Sequence, residues 1–132
     1  MKKLFLLLLV AMMAAAIGCS NSSAIRDASL EEFHAALASD DTLVVDVRVG
    51  LELGGDLIFL KDAKQIPLTT LEVNLQKIPK ERNIYVVGAK PEQATKAANI
   101  LTKAGYPFVF RVNGTLTDYA TKFDAEGRKY LK

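Results

Sequence analysis

One cysteine and one histidine are all that this 132-residue chain offers as thiol or imidazole ligands, and that scarcity excludes several chemistries at once. A single thiol closes no intrachain disulfide, and Cys19 with His34 falls short of any zinc ligand set. His34 reads instead as a solvent-facing or partly packed helix residue. Exported proteins often use disulfides, but about a hundred residues can bury a core without one. No basic run exceeds two residues. A long apolar run is also missing: residues 4–17, LFLLLLVAMMAAAI, number 14, against about 20 for a membrane-spanning helix.

What does stand at the N-terminus is the order of a secretory signal, with Lys2 and Lys3, then the apolar run, then Gly18 and Cys19. Residues 1–18 are therefore expected to be removed rather than folded. The box AIGC at 16–19 resembles the cleavage site of bacterial lipoproteins, whose cysteine is lipidated on sulfur and becomes the acylated first residue; the alternative is an ordinary signal that happens to end in cysteine. The resemblance implies lipidation of Cys19 by palmitate-type chains, a lipid bilayer as partner, and location in the cell envelope. Each buried acyl CH₂ contributes about 0.8 kcal/mol, so several chains hold a protein firmly. By the habit of that class, Ser20 implies the outer membrane, facing the periplasm, where the organism has one. With Cys19 so occupied, no thiolate nucleophile remains.

Charge points the same way. The chain carries 17 Lys plus Arg and 15 Asp plus Glu; without Lys2 and Lys3 the mature part has 15 of each and is formally neutral. Neither nucleic acid nor an anionic lipid surface is expected as a partner.

Residues 19–28 read as the lipidated cysteine and a polar tether, whose connector 20–28 spans at most about 30 Å. The folded domain is expected over 29–132. Ser29 and Glu32 form a capping box ahead of Leu30, Phe33 and Leu37 on one helical face. TLVVDVR (42–48), NIYVVG (83–88) and FVFRV (108–112) read as buried strands. A helix is expected over 91–104, with Pro91 suiting its start and Gly105 its stop; LEVNLQKI (71–78) supplies a shorter one, with Leu71, Leu75 and Ile78 at spacings of four and three. Strands alternating with helices imply an α/β fold with a parallel-rich central sheet covered on both faces.

From about Ala28 to Phe123 the order and spacing of these segments resemble the single-domain rhodanese-like proteins. LVVDVR looks like that family's DVR strand, and AKQIPLTTLE (63–72) like the segment after its GHIPGA stretch. IYVVGAKPEQATKAANILTKAGY aligns without a gap to its active-site strand, loop and helix. VFRVNGTLTDY matches the last strand and its Gly-Gly turn, with Gly114 retained, Thr115 at the second glycine and Tyr119 where a tryptophan is usual. The resemblance implies the rhodanese-like fold with no cofactor and no metal. It also implies structural roles for Asp46, Arg48, Gly114 and Tyr119, Asp46 and Arg48 ordering loops at the strand end, with ligand contact as their alternative.

In active members of that family a cysteine after the strand accepts sulfane sulfur as a persulfide, cradled by backbone N–H groups. Here that position is Gly88. In the rest of the loop, Ala89, Lys90, Pro91, Glu92 and Gln93, no residue is a nucleophile: Pro91 has no N–H to offer, Glu92 puts a carboxylate where the anion would sit, and Gln93 replaces an arginine or other polar residue. Lys90 reads as a solvated loop residue. Pro91 and Glu92 suit a helix start on their own account, the carboxylate offsetting the dipole by about 0.3–1 kcal/mol. The expected function is a catalytically inactive, membrane-tethered rhodanese homologue that binds a protein or small ligand, with an envelope protein as the partner class. The alternative is a sulfurtransferase or sulfur carrier. The GHIPGA counterpart, IFLKDA at 58–63, has lost both glycines, the histidine and the proline; with Leu57 it forms an apolar run, Leu57 to Leu60, that reads as a partner patch or an extra buried strand.

Overall fold

The computed structural model describes residues 25–50 and 58–132. The signal, Cys19, most of the tether and Leu57 lie outside the described residues. Among those described, five strands form one sheet: β1 (Arg26–Ala28), β2 (Thr42–Asp46), β3 (Lys64–Gln65), β4 (Asn83–Val87) and β5 (Val109–Val112), in the order β1-β5-β4-β2-β3. Every neighbouring pair is parallel. The helices are α1 (Leu30–Ala36), α2 (Pro91–Lys103), α3 (Leu116–Lys122) and the single turn α4 (Asp124–Gly127). This is the expected α/β architecture.

Alternation along the strands explains the two cores, because successive side chains point to opposite faces. Val45, Ile84, Val86 and Val109 meet Ala94, Ala97, Ala98 and Leu101 of α2 on one face. Val44, Tyr85, Val87 and Val112 meet Phe33, Leu116 and Tyr119 on the other. The small alanines let α2 lie close against the sheet, and Gly105, at φ +89°, ends that helix in the left-handed region that glycine tolerates.

The structure corrects one expectation, refines a second and decides between two open readings of a third. The tether does not run to residue 28: Arg26–Ala28 pairs with β5, Ala28 is buried, and Asp27 holds Arg111 at 2.5 Å. A three-residue edge strand this polar has no alternating pattern to announce it. The short helix expected over 71–78 takes the 3₁₀ form, Glu72–Lys77, closed by bonds such as Asn74 N–H to the Leu71 carbonyl at 3.1 Å. Pro67 and Pro79 bound this stretch, and the Tyr106 hydroxyl sits 2.7 and 2.6 Å from the Leu75 and Ile78 carbonyls, fixing its end. Finally, the described part of the apolar run is no exposed patch. Leu60 is buried and bridges Leu131, Ile58 packs against the second core, and Phe59 lies under the Arg48 guanidinium.

Burial raises the pKa of Tyr85, of Tyr106 and of Tyr119, the last to about 12; nearby Glu32, Glu81 and Tyr130 add to it in that order. An unfolded tyrosine ionises near pH 10, so the stability these rings confer is complete below about pH 10 and is lost as pH rises through their raised values, which for Tyr119 is about 12. An alkaline absorbance titration should therefore show Tyr85, Tyr106 and Tyr119 ionising above the ordinary tyrosine range while the chain is folded. Reversible ionisation of these three near pH 10, with native circular dichroism kept, would contradict this burial.

Candidate functional site

The carboxyl ends of β2 and β4 carry the residues singled out in the sequence. Asp46, at the end of β2, is 2 % exposed and is the one buried charged side chain among the described residues. Its partner is two residues away. Arg48 Nη2 donates to Oδ2 at 2.7 Å and Nε to Oδ1 at 3.0 Å, while the Arg48 backbone N–H also donates to Oδ1 at 3.1 Å. Nη2 then reaches the Ile58 carbonyl at 2.8 Å, and the guanidinium covers the Phe59 ring at 5.3 Å. The pair consumes its own charges and clips the segment at Ile58 to the strand end, the structural arrangement a buried ion pair requires.

Next to it, β4 runs through Gly88 and Ala89 into α2. Gly88 is buried, Ala89 and Gln93 are half-buried, and Lys90, Pro91 and Glu92 are exposed. Pro91 takes the first helical position and Glu92 lies in the first turn, as expected for a helix start. The Ala89 N–H does not face an open cradle. It donates to the Gln93 side-chain oxygen at 2.8 Å, so the loop donor is satisfied by an amide from its own helix. A Cβ placed on Gly88 would lie 2.9 Å from Gln93 Cβ, 3.2 Å from its Oε1 and 3.3 Å from the Ala94 nitrogen. The Gly88 backbone itself lies outside the left-handed region. Contact with Gln93, not backbone conformation, is therefore what a side chain at 88 would meet.

This contact escaped sequence reasoning. Gln93 read as a missing arginine rather than as the group filling the loop; the signal available was only its offset of four from Ala89 and its polarity.

The remaining family positions are structural in their contacts. Gly114 has φ +143°, and a Cβ there would meet Leu30 Cδ2 at 2.9 Å. Thr115 caps α3 in a capping box with Asp118, a pattern legible as TLTD. Tyr119 is fully buried edge-on to Phe33, at 5.4 Å between centroids, and its hydroxyl bonds His34 Nδ1 at 2.7 Å. His34 stacks on Phe123 at 4.1 Å, which makes it the partly packed residue expected. No group of three or more potential metal ligands occurs among the described residues.

The family model of the rhodanese-like domain matches residues 29–122. A protein of Allochromatium vinosum named "Sulfurtransferase" is 27 % identical over 82 residues, covering 62 % of this chain and 75 % of that protein. Among solved structures, the Alr3790 protein of Anabaena superposes with a TM-score of 0.62 at 23 % identity, over 72 % of this chain and 76 % of that one. The reduced CoADR-RHD of Bacillus anthracis gives 0.66 at 23 % identity, over 81 % of this chain and 18 % of that much longer one.

Proposed function

Since the chain belongs to the rhodanese-like domain family, we propose that it is a noncatalytic member, tethered to a membrane through acylated Cys19, which binds a protein or small ligand at the cell envelope. The observation that carries this reading is the loop at Gly88. The nucleophile position holds no side chain, and the neighbouring backbone donor is taken by Gln93. Persulfide chemistry needs both a thiolate and donors aimed at its charge; this loop has no thiol, its Ala89 N–H is taken by Gln93, and Pro91 has no N–H to give. Glu92 beside it further opposes an anion. The tether rests on the lipoprotein-like order of residues 1–19, with the bilayer as partner and the outer membrane, facing the periplasm, as the location in a cell that has one.

The name of the Allochromatium relative favours a second reading, a sulfurtransferase or sulfur carrier. Fold does not fix activity, and sulfur carriage here would fall to Cys19, the chain's only thiol. The intact mass of the chain extracted from membranes separates the two. Cleavage before Cys19 with acyl chains attached is expected, whereas an unmodified Cys19 thiol would defeat the tether and revive the carrier.

A further inference from the structure

On the face opposite the aromatic core, a groove of about 680 Å³ runs between α2 and the 3₁₀ segments Leu68–Thr70 and Glu72–Lys77. Its apolar lining is Leu68, Leu75, Ile100 and Ala104, each only partly buried although packed against the core. One wall carries Lys96 and Lys103, seven residues apart on the same helical face, about 10 Å along the axis. The other wall carries Glu72. Both lysines are exposed, and no ion pair among the described residues includes either. Lys103 lies in the last turn, where the helix dipole favours a cation; Lys96 has no such reason.

We propose that this groove is the docking surface of the binding module and that it receives an amphipathic helix of a partner protein, with an apolar stripe and carboxylates at i and i+7 facing Lys96 and Lys103. The inference rests on the binding role proposed above and names its surface. Two cations at a two-turn spacing beside an apolar floor match a helix bearing acids at the same spacing, and Glu72 across the groove favours a basic or neutral far edge. A docked helix would cover the four partly buried side chains that line the groove.

The test uses the full chain in detergent micelles and a stapled amphipathic peptide of about four turns, carrying a leucine stripe with glutamates at i and i+7. Anisotropy at low salt gives affinity, and amide shifts of the labelled chain give location. Binding is expected with shifts confined to 68–77 and 91–104, weakened about tenfold by Lys96→Glu combined with Lys103→Glu, and regained when lysines replace the peptide's glutamates. Both substitutions are at exposed positions, so unchanged circular dichroism is expected alongside.

Absence of binding, or equal binding of acidic and basic peptides, would overturn the proposal. Self-association of the chain that the double reversal abolishes, without peptide shifts, would seat a second copy there and overturn it as well. Catalysis is decided separately by sulfur turnover, which the peptide titration does not report.

Discussion

Replacing Arg48 with alanine should lower the unfolding free energy by about 3–5 kcal/mol, because it leaves the Asp46 carboxylate buried without its counter-charge. Asp46 is 2 % exposed, and Arg48 supplies both its side-chain donors as well as a backbone N–H. The loss includes the hydrogen bond to the Ile58 carbonyl and the cover over Phe59, so the segment at 58–60 should loosen together with the strand end. In a domain of about a hundred residues each kcal/mol moves the melting temperature by about 4–8 °C. The urea midpoint should therefore fall steeply while the slope stays the same. Removing both charges, as Asp46→Asn with Arg48→Met, should cost much less than Arg48→Ala alone, since no lone ion is then left inside. A loss under about 1 kcal/mol for Arg48→Ala, typical of exposed ion pairs, would show that the pair is not the clip described.

A cysteine placed at position 88, where the proposed reading puts the family's nucleophile, should itself be destabilising. Gly88→Cys brings a Cβ to 2.9 Å from Gln93 Cβ, the first atom of that side chain, so the helix start or the loop must shift rather than a flexible tip. Overpacking of this kind costs about 1–3 kcal/mol. Gln93→Gly removes the two nearest obstructing atoms, leaving the Ala94 nitrogen at 3.3 Å, at a helix-propensity cost of up to about 1 kcal/mol, and in that background Gly88→Cys should be tolerated better. The coupling between the two sites, read as a double-mutant cycle in urea, is expected to be favourable and above about 0.5 kcal/mol. Additive effects would mean that Gln93 does not close the loop against a side chain at 88.

These contacts mark where local sequence stops being informative. The β-branched runs that became β2, β4 and β5 bury side chains on both faces and so stand out without any knowledge of neighbours. The Ser29 capping box is a contact over three residues, and Gly105 needs only the helix that it ends. By contrast, β1 exists only because β5 is there to pair with it, and β3 contributes two exposed residues, Lys64 and Gln65, to an edge of β2. Residues 71–78 met the helical spacing, yet tightened into a 3₁₀ segment between two prolines under the Tyr106 hydroxyl. At the site, the lack of any cysteine, serine or aspartate in residues 88–93 was legible in the sequence. The filling of the loop by Gln93 was not, because it depends on how closely α2 approaches the end of β4. The groove beside Lys96 and Lys103 was hidden for the same reason: one wall belongs to α2 and the other to a segment some twenty residues earlier in the chain.

Noncatalysis is tested most directly by thiosulfate-to-cyanide sulfur transfer, measured for the full chain in detergent and for its Gly88→Cys variant. The expected result is no turnover above the protein-free rate for the parent, and none gained by Gly88→Cys while Gln93 still holds the Ala89 N–H. Robust turnover by the parent, whose residues 88–93 hold no nucleophile, would contradict the noncatalytic reading and would require sulfur chemistry from a residue outside this loop.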